Sequence, residues 1–304
     1  MLRQRTLAKP VATKGNGLHT GDEVSLRLCP APPDSGVVFR RVDLEPSRDI
    51  PACLENVGAT TLSTSLDRAG HRVATVEHLL AAMAGLGIDN ALVEISAPEV
   101  PIMDGSAAPF VALVRAAGVR EQEAARRFLR VKREVVVEEG DKVAGFLPYD
   151  GFKVSFSIDF DRCTLRAAHA HFEIDFARAS FIDEVSGART FGFMDDVQAL
   201  RDRGMALGGS LDNAVVIDGD RVLNRGGLHS EDELARHKVL DALGDLSLLG
   251  AGLIGEFRAH KSGHTLNNAA LRSLLEQPRA WEWVTLADAR ESPLAYEIEP
   301  QYTL

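Results

Sequence analysis

Val76-Glu-His-Leu-Leu-Ala-Ala-Met-Ala-Gly-Leu86 carries apolar residues at 76, 79, 80, 83 and 86, the spacing of one helical face. Gly87 stops the pattern, and Asn90-Ala-Leu-Val-Glu-Ile95 reads as a buried strand. The loop Ala97-Pro-Glu-Val-Pro-Ile-Met-Asp-Gly-Ser106 leads to a second helix, Pro109 to Ala117. The same succession returns late in the chain. Ser230-Glu-Asp-Glu233 has the form of a capping box, the Ser hydroxyl and Glu carboxylate satisfying an open helix end. The helix it starts runs to about Leu249 and is closed by Gly250 and Gly252. Leu253-Ile-Gly-Glu-Phe257 is then a strand, Lys261-Ser-Gly-His264 a loop, and Asn268 to Leu275 a helix. Residue identity between the two runs is negligible, so what repeats is layout; the competing reading is two unrelated regions that share a common pattern. The layout predicts an α+β protein of two similar domains, residues 1–124 and 125–304, each a sheet covered by paired helices. Packed together they form a β-α-α-β sandwich with the site between them.

The opening third alternates as strands do. Glu23-Val-Ser-Leu-Arg-Leu28 and Gly36-Val-Val-Phe-Arg-Arg-Val42 flank the turn signal Pro30-Ala-Pro-Pro-Asp-Ser-Gly36. The polar run Arg120 to Arg127 has the look of a linker. After it, Phe128 to Glu138 and Lys153 to Phe160 resume the strand pattern. With 34 Lys and Arg against 44 Asp and Glu, the net charge is 34 − 44 = −10. That balance argues against a general nucleic-acid binder, which needs a basic surface to displace phosphate counterions. It leaves room for one anionic ligand held by a few local cations. Hydrophobic residues make up 45%, enough to bury a core, which excludes a disordered chain. Cys29, Cys53 and Cys163 are far apart, without a Cys-x-x-Cys pair, so neither a thiolate zinc site nor a disulfide framework is expected. Met1 to Gly15 lacks the apolar stretch of a secretory signal. The longest apolar run, Leu246 to Phe257, is broken by glycines and too short to span a bilayer. These features predict a soluble cytoplasmic protein.

Glu77 and His78 lie off the apolar face of the first helix, beside Ala74, Ala81, Ala82 and Gly85. Small neighbours let a second helix or a metal approach, where a solvated face usually carries Lys and Glu. On the later helix His237, Asp241 and Asp245 stand four apart and form one polar stripe, while Val239, Leu243 and Leu246 supply the core. Side chains at i and i+4 on a rigid helix converge on a point, as metal ligands must. Three ligands drawn from His78, His237 and Asp241 would give a His₂Asp zinc site with a fourth position open, the catalytic kind. Glu77, next to a ligand, is then placed to accept a proton from water. The His-Glu-x-x-His pattern is absent, and His-x-x-x-Asp on a helix is most often solvated, so on spacing alone the plain reading leads.

Longer motifs change that balance. Thr75 to Asn90, Pro101-Ile-Met-Asp-Gly-Ser-Ala-Ala-Pro-Phe110, Ala188-Arg-Thr-Phe-Gly-Phe-Met194, His237 to Leu246 and Lys261-Ser-Gly-His-Thr-Leu-Asn-Asn268 occur in order along the chain. With Gln4-Arg-Thr-Leu7 and Gly17-Leu-His-Thr-Gly21, the whole chain resembles the zinc-dependent UDP-3-O-acyl-N-acetylglucosamine deacetylases of lipid A biosynthesis in Gram-negative bacteria. The resemblance implies hydrolysis of the substrate's acetamide to acetate and UDP-3-O-acyl-glucosamine, with one zinc ion per chain on His78, His237 and Asp241. It implies Glu77 as general base and His264 as the imidazolium that stabilises the oxyanion and protonates the leaving amine. Asp245 orients that histidine, and the Thr190 hydroxyl helps hold the tetrahedral intermediate. Lys238 matches a contact to the nucleotide phosphates, with Phe160 and Lys261 as uridine and phosphate contacts. Met194, Val197, Ala206, Leu211 and Val216 are implied to line an acyl passage, with Phe191 and Leu62 as further substrate contacts. Ser63 stands where some members have a cysteine near the metal.

Other signals stay plain. Gly15-Asn-Gly-Leu-His-Thr-Gly21 lacks the dinucleotide glycine spacing and precedes a strand, so it is a turn, with His19 near the pocket mouth. His169 and His171 could ligate a metal from one strand face, but amid charged, poorly patterned sequence they are expected as exposed polar positions, with His71, His229 and His260 at the surface and Asp104 as a loop-fixing acceptor. No amphipathic anchor helix stands out, so membrane contact is expected to be transient at most and the protein to act as a monomer.

Overall fold

The structure is a computed structural model that describes residues 1–161, 163–295 and 298–300. Six α-helices lie among them: α1 Glu77–Gly85, α2 Ala108–Ala117, α3 Phe181–Glu184, α4 Met194–Asp202, α5 Glu233–Leu246 and α6 His264–Leu275. A five-stranded sheet runs in the order Val11–Asn16, Glu23–Pro30, Ala91–Ile95, Val37–Arg41, Arg48–Pro51. Its strand Glu23–Pro30 alternates exposed and buried, sending Val24, Leu26 and Leu28 to the core, as the period-2 pattern predicts. A seven-stranded sheet is built around Gly252–His260. That strand pairs antiparallel with Lys142–Leu147 on one side. On the other it pairs parallel with Arg127–Val131 at its start and Phe152–Ser157 at its end. Being flanked on both sides, it buries Leu253, Ile254, Phe257 and Ala259. A smaller sheet, Phe191–Phe193 with Val215–Asp218 and Arg221–Val222, carries α4 beside it. The fold is thus α+β, and helix, strand, loop, helix occurs in each half of the chain as expected.

Helices α1 and α5 occupy the middle. All of α1 except Ala84 is buried, and α5 buries all but Arg236 and Lys238. They pack against each other, with α2 against α1 and α6 against α5. Apolar residues such as Leu79, Leu80, Met83, Leu240 and Leu243 favour this contact by about 1.5–3 kcal/mol each on full burial. Glycine makes it possible. A Cβ at Gly244 would stand 2.1 Å from the Glu77 carbonyl oxygen, and one at Gly85 would meet the Phe181 ring at 2.4 Å. Gly244 of α5 thus permits the approach to α1, while Gly85, one of the small residues beside Glu77 and His78, admits the Phe181 ring of α3. Past α1, Gly87 takes φ +69°, the left-handed turn that ends it.

Two expectations are corrected. Residues 120–127 are no linker: Val119–Ala125 pairs antiparallel with Arg3–Leu7. The pairing carries a register shift, Val119 and Gln122 are its buried positions, and Gln122 is satisfied, donating to the Ala31 carbonyl and accepting from Asn90. Arg126 follows, buried against Asp89 at 3.0 Å. A polar run can be structural when each inward polar group finds a partner. The capping box also does not form. Helix α5 begins at Glu233 after Asp232, with no side-chain cap. The Glu233 carboxylate instead accepts from Arg189 Nε at 2.8 Å and Nη2 at 3.0 Å, and from the His229 N–H. An arginine fork is a stronger partner for a buried carboxylate than a helix-end amide.

Gly244→Ala is expected to force α1 and α5 apart and to cost about 2 kcal/mol or more, the usual penalty of overpacking. A urea unfolding midpoint equal to that of the unaltered protein would contradict this account of the helix contact.

Candidate metal centre and catalytic site

His78 stands in the first turn of α1, and His237 and Asp241 one turn apart on α5. One ligand atom from each lies within 4.8 Å of the other two. Asp241 Oδ1 is 3.3 Å from His237 Nε2 and 3.5 Å from His78 Nε2. A tetrahedral ion with bonds of about 2.0–2.1 Å has ligand–ligand edges of about 3.3 Å, so these separations suit such an ion. The His237 Nδ1–H donates to the Ala188 carbonyl at 3.0 Å, which leaves the Nε2 lone pair facing inward. Burial pushes His237 down to about 4, against the pull of Asp241, so the ring is a neutral ligand at neutral pH. Burial opposes the charge on Asp241, but His237 and Lys238 more than offset this and hold the carboxyl well below its usual range. Two imidazole nitrogens aimed at one carboxylate oxygen need a proton or cation among them, and the donor set fits a metal ion.

Next to this set, Glu77 Oε2 accepts the Thr64 N–H at 3.0 Å, while Oε1 faces His264 Nε2 at 3.9 Å. His264 is the first residue of α6, and its Nδ1 donates to Asp245 Oδ2 at 2.9 Å. Asp245 also accepts the Thr64 hydroxyl at 2.6 Å and the Asn267 amide at 2.9 Å. Burial drives Glu77 upward, with His264 and His78 opposing. For His264 burial acts downward, but the Asp245 charge and hydrogen bond, then Glu77, overcome it and raise the imidazolium to about 9. The site therefore holds one carboxyl moved toward protonation and one histidine kept protonated, 3.9 Å apart at the same opening.

That opening is a cavity of about 450 Å³. Glu77, His78, His237, Asp241, His264, Thr190, Lys238, Phe160, Phe191 and Leu62 all line it, as do Ser63, Leu18 and Phe193. Phe160 packs edge-on against Phe191 and Phe193, with ring centroids 5.6 and 5.2 Å apart, and forms an aromatic wall. The Thr190 N–H is tied to the Gly105 carbonyl at 2.7 Å, and the Arg189–Glu233 pair fixes the same stretch to the first turn of α5. Asp104 accepts from the Ser106 N–H and hydroxyl, which is the loop-fixing role expected of it. Lys238 Nζ donates to Asp241 Oδ2 at 2.7 Å. Lys261 lies to one side, paired with Asp141 at 2.9 Å and Asp159 at 3.1 Å. Met194, Val197, Ala206, Leu211 and Val216 are not in this wall. They sit on α4 and the stretch to the strand Val215–Asp218, where Met194 and Leu211 remain 42% and 48% exposed. His169 and His171 are exposed, held by Asp159 and Ser157.

Residues 4–276 match a family model described as LpxC, UDP-3-O-acyl N-acetylglycosamine deacetylase. The chain belongs to the LpxC family. It is 58% identical over 296 residues to the UDP-3-O-acyl-N-acetylglucosamine deacetylase of Cellvibrio japonicus, covering 97% of this chain and 98% of that one. The protein of the same name from Marinobacter nauticus is 60% identical over 296 residues, covering 97% of each chain. That of Saccharophagus degradans is 57% identical over 300 residues, covering 99% of each. In this LpxC-family chain the sequence reading missed Thr64, Asn267, Leu18 and the Arg189–Glu233 pair. Thr64 and Leu18 lie in irregular stretches without periodicity. Glu233 was seen, but with the wrong partner.

His237→Ala removes one of the three candidate ligands and is expected to leave the helices intact while the metal content after dialysis falls to a small fraction. Retention of a full equivalent of metal would mean that His237 is no ligand.

Proposed function

We propose that this protein is a zinc-dependent amidohydrolase that removes the acetyl group of UDP-3-O-acyl-N-acetylglucosamine, the early committed step of lipid A biosynthesis. The observation that carries the proposal is the His78–His237–Asp241 set in one cavity with Glu77 and His264, in a chain close to relatives so named. His78, His237 and Asp241 hold the zinc, which supplies Lewis acidity to the amide carbonyl and makes water nucleophilic near neutral pH. Glu77 Oε1, the oxygen not occupied by Thr64, takes the proton from the attacking water. His264 Nε2 stabilises the developing oxyanion with the Thr190 hydroxyl, then gives its proton to the departing amine. Asp245 holds His264 Nδ1 so that Nε2 faces the cavity. Phe160 and Phe191, set edge to face at 78°, offer an aromatic surface for a uracil ring. Lys238 and Lys261 bring positive charge near it, suited to a diphosphate even though each is already paired with a carboxylate. Leu62, Met194, Val197, Ala206, Leu211 and Val216 offer apolar surface for the acyl chain.

The same reading takes residues 1–124 and 125–304 as two similar domains, with α1 and α2 of one laid against α5 and α6 of the other in a β-α-α-β sandwich. It also takes the protein as a cytoplasmic monomer that touches membranes only transiently and binds no nucleic acid. In support, no helix among the described residues is long and apolar enough to cross a membrane, and the net charge is −10.

Turnover of the UDP-acyl-N-acetylglucosamine should vanish on chelation and return on adding zinc. Glu77→Ala and His264→Ala should each lose most of it while keeping the metal; unimpaired turnover in Glu77→Ala would sink the mechanism. The pH dependence follows from the need for a protonated His264. In the metal-free protein His264 should titrate near 9 by NMR, well above a free imidazole. Activity that depends on its proton is present below its midpoint and lost as pH rises through it. Asp245→Asn removes the charge that raises the midpoint, so the alkaline limb of kcat should move to lower pH. A limb that stays in place would exclude the Asp245–His264 pair as its origin.

A further inference from the structure

The Glu77 carboxylate and the Asp245–His264 pair come from different helices, yet one residue outside all the helices touches both. Thr64 lies between the short helical turn Leu54–Asn56 and the strand Leu66–Arg68, and is 1% exposed. Its main chain grips the start of α1 from two directions: its N–H donates to Glu77 Oε2 at 3.0 Å, and its carbonyl accepts the Val76 N–H at 3.2 Å. Its hydroxyl reaches across to α5 and donates to Asp245 Oδ1 at 2.6 Å. The other Asp245 oxygen accepts from His264 and from Asn267, which in turn accepts the Ser262 hydroxyl at 2.6 Å. Thr64 is held in place independently of these contacts. The Ser65 N–H and hydroxyl both reach the Ala59 carbonyl at 2.9 Å, and the Thr60 and Thr265 hydroxyls meet at 2.9 Å at the start of α6.

We propose that Thr64 is a positioning residue that clamps the Glu77 base and the Asp245–His264 acid at one spacing across the cavity, and that its hydroxyl sets how tightly Asp245 holds the His264 proton. The second part follows from competition for one carboxylate. Three donors share Asp245: the Thr64 hydroxyl, the Asn267 amide and His264 Nδ1–H. Each hydrogen bond to the anion lowers its appetite for the others. The charged groups that face His264 are Asp245 and Asp241 from α5 and Glu77 from α1, all carboxylates. Without the Thr64 hydroxyl, Asp245 Oδ1 keeps only its 3.2 Å contact to His264 Nδ1, the imidazolium is more strongly held, and it becomes a weaker acid for the leaving amine. The main-chain grip on Glu77 survives any side-chain change at 64, so the hydroxyl can be removed without removing the base.

This inference rests on the deacetylase reading above, and the test separates the two. Thr64→Val keeps the shape of the side chain and deletes its donor; Thr64→Ser restores the donor. In the zinc-loaded full chain, Thr64→Val is expected to lower kcat roughly five- to tenfold with KM nearly unchanged. Its alkaline limb, and the His264 midpoint followed by NMR, should move up by roughly half a unit to one unit. Thr64→Ser should return both to the values of the unaltered protein. A merely structural threonine lowers the melting temperature but moves neither KM-independent turnover nor the His264 midpoint. An unmoved midpoint with unchanged kcat in Thr64→Val overturns the proposal, as does failure of Thr64→Ser to restore them. Absence of turnover in the unaltered protein on this substrate counts against the deacetylase reading instead. The His264 midpoint then decides the clamp alone: an upward shift in Thr64→Val upholds it and a constant value overturns it.

Discussion

Helix α1 lies against α5 because residue 244 has no side chain: a Cβ there would stand 2.1 Å from the Glu77 carbonyl oxygen. Everything in the site is arranged around that point of approach. Asp241 and Asp245 bracket Gly244 along α5, and Glu77 and His78 are consecutive on α1, so the contact delivers both pairs to one place. His78 goes to Asp241 and His237; Glu77 goes to Asp245, His264 and Thr64. Two close-packed buried helices ordinarily present aliphatic side chains to each other. Here the interface carries three carboxylates and two imidazoles, with a third imidazole, His264, added from α6, and none of them is more than 8% exposed.

Burying that much charge is unfavourable unless every group is answered. The structure answers the carboxylates separately rather than by sharing. Glu77 has the Thr64 amide, Asp241 has Lys238, and Asp245 has three donors of its own. The separation has chemical consequences. Asp241, beside His237 and a lysine, is driven down and stays an anion fit for a metal. Glu77, left chiefly to its burial, is driven up toward the range of a working base, and His264 is held up as an acid by the carboxylates around it. Environments that push neighbouring pKa values apart are what allow acid and base chemistry side by side at one pH. The net charge of −10 describes the surface and says nothing of this; the balance inside the cavity is set by a few named groups.

How much of this could be read from the chain depends on how local each cause is. The helix α1, the polar stripe of α5 and the small residues facing Glu77 follow from periods of three and four, and the structure has them where the spacing put them. The convergence of His78 on His237 and Asp241, more than 150 positions apart, was not derivable from spacing and came from longer motifs. Two local signals misled for the same reason. The polar stretch at 120–127 and the box at 230–233 both look solvent-facing when polarity is taken as exposure. In the fold Gln122, Arg126 and Glu233 are buried and matched with partners 30 or more positions away, Gln122 with Ala31 and Asn90, Arg126 with Asp89, Glu233 with Arg189. Thr64 carried no signal at all. Among the hydroxyls of Thr60-Thr-Leu-Ser-Thr-Ser65, nothing in the order of residues marks the one that turns inward.

The same geometry ties metal, fold and proton transfer together. The candidate metal set takes one residue from α1 and two from α5, so an ion held by all three would bind the helices to each other, and its affinity would be in part a stabilisation of their contact. Asp241 and the two histidines, which are costly to bury together, are the groups such an ion would neutralise or engage. On the other side of Gly244 the link is made by hydrogen bonds instead: Thr64 joins Glu77 of α1 to Asp245 of α5. A change that lets the helices part by a fraction of an ångström therefore loosens the metal set and the acid–base pair together. Tight packing at one glycine is what makes the two halves of the chemistry rise or fall as a unit.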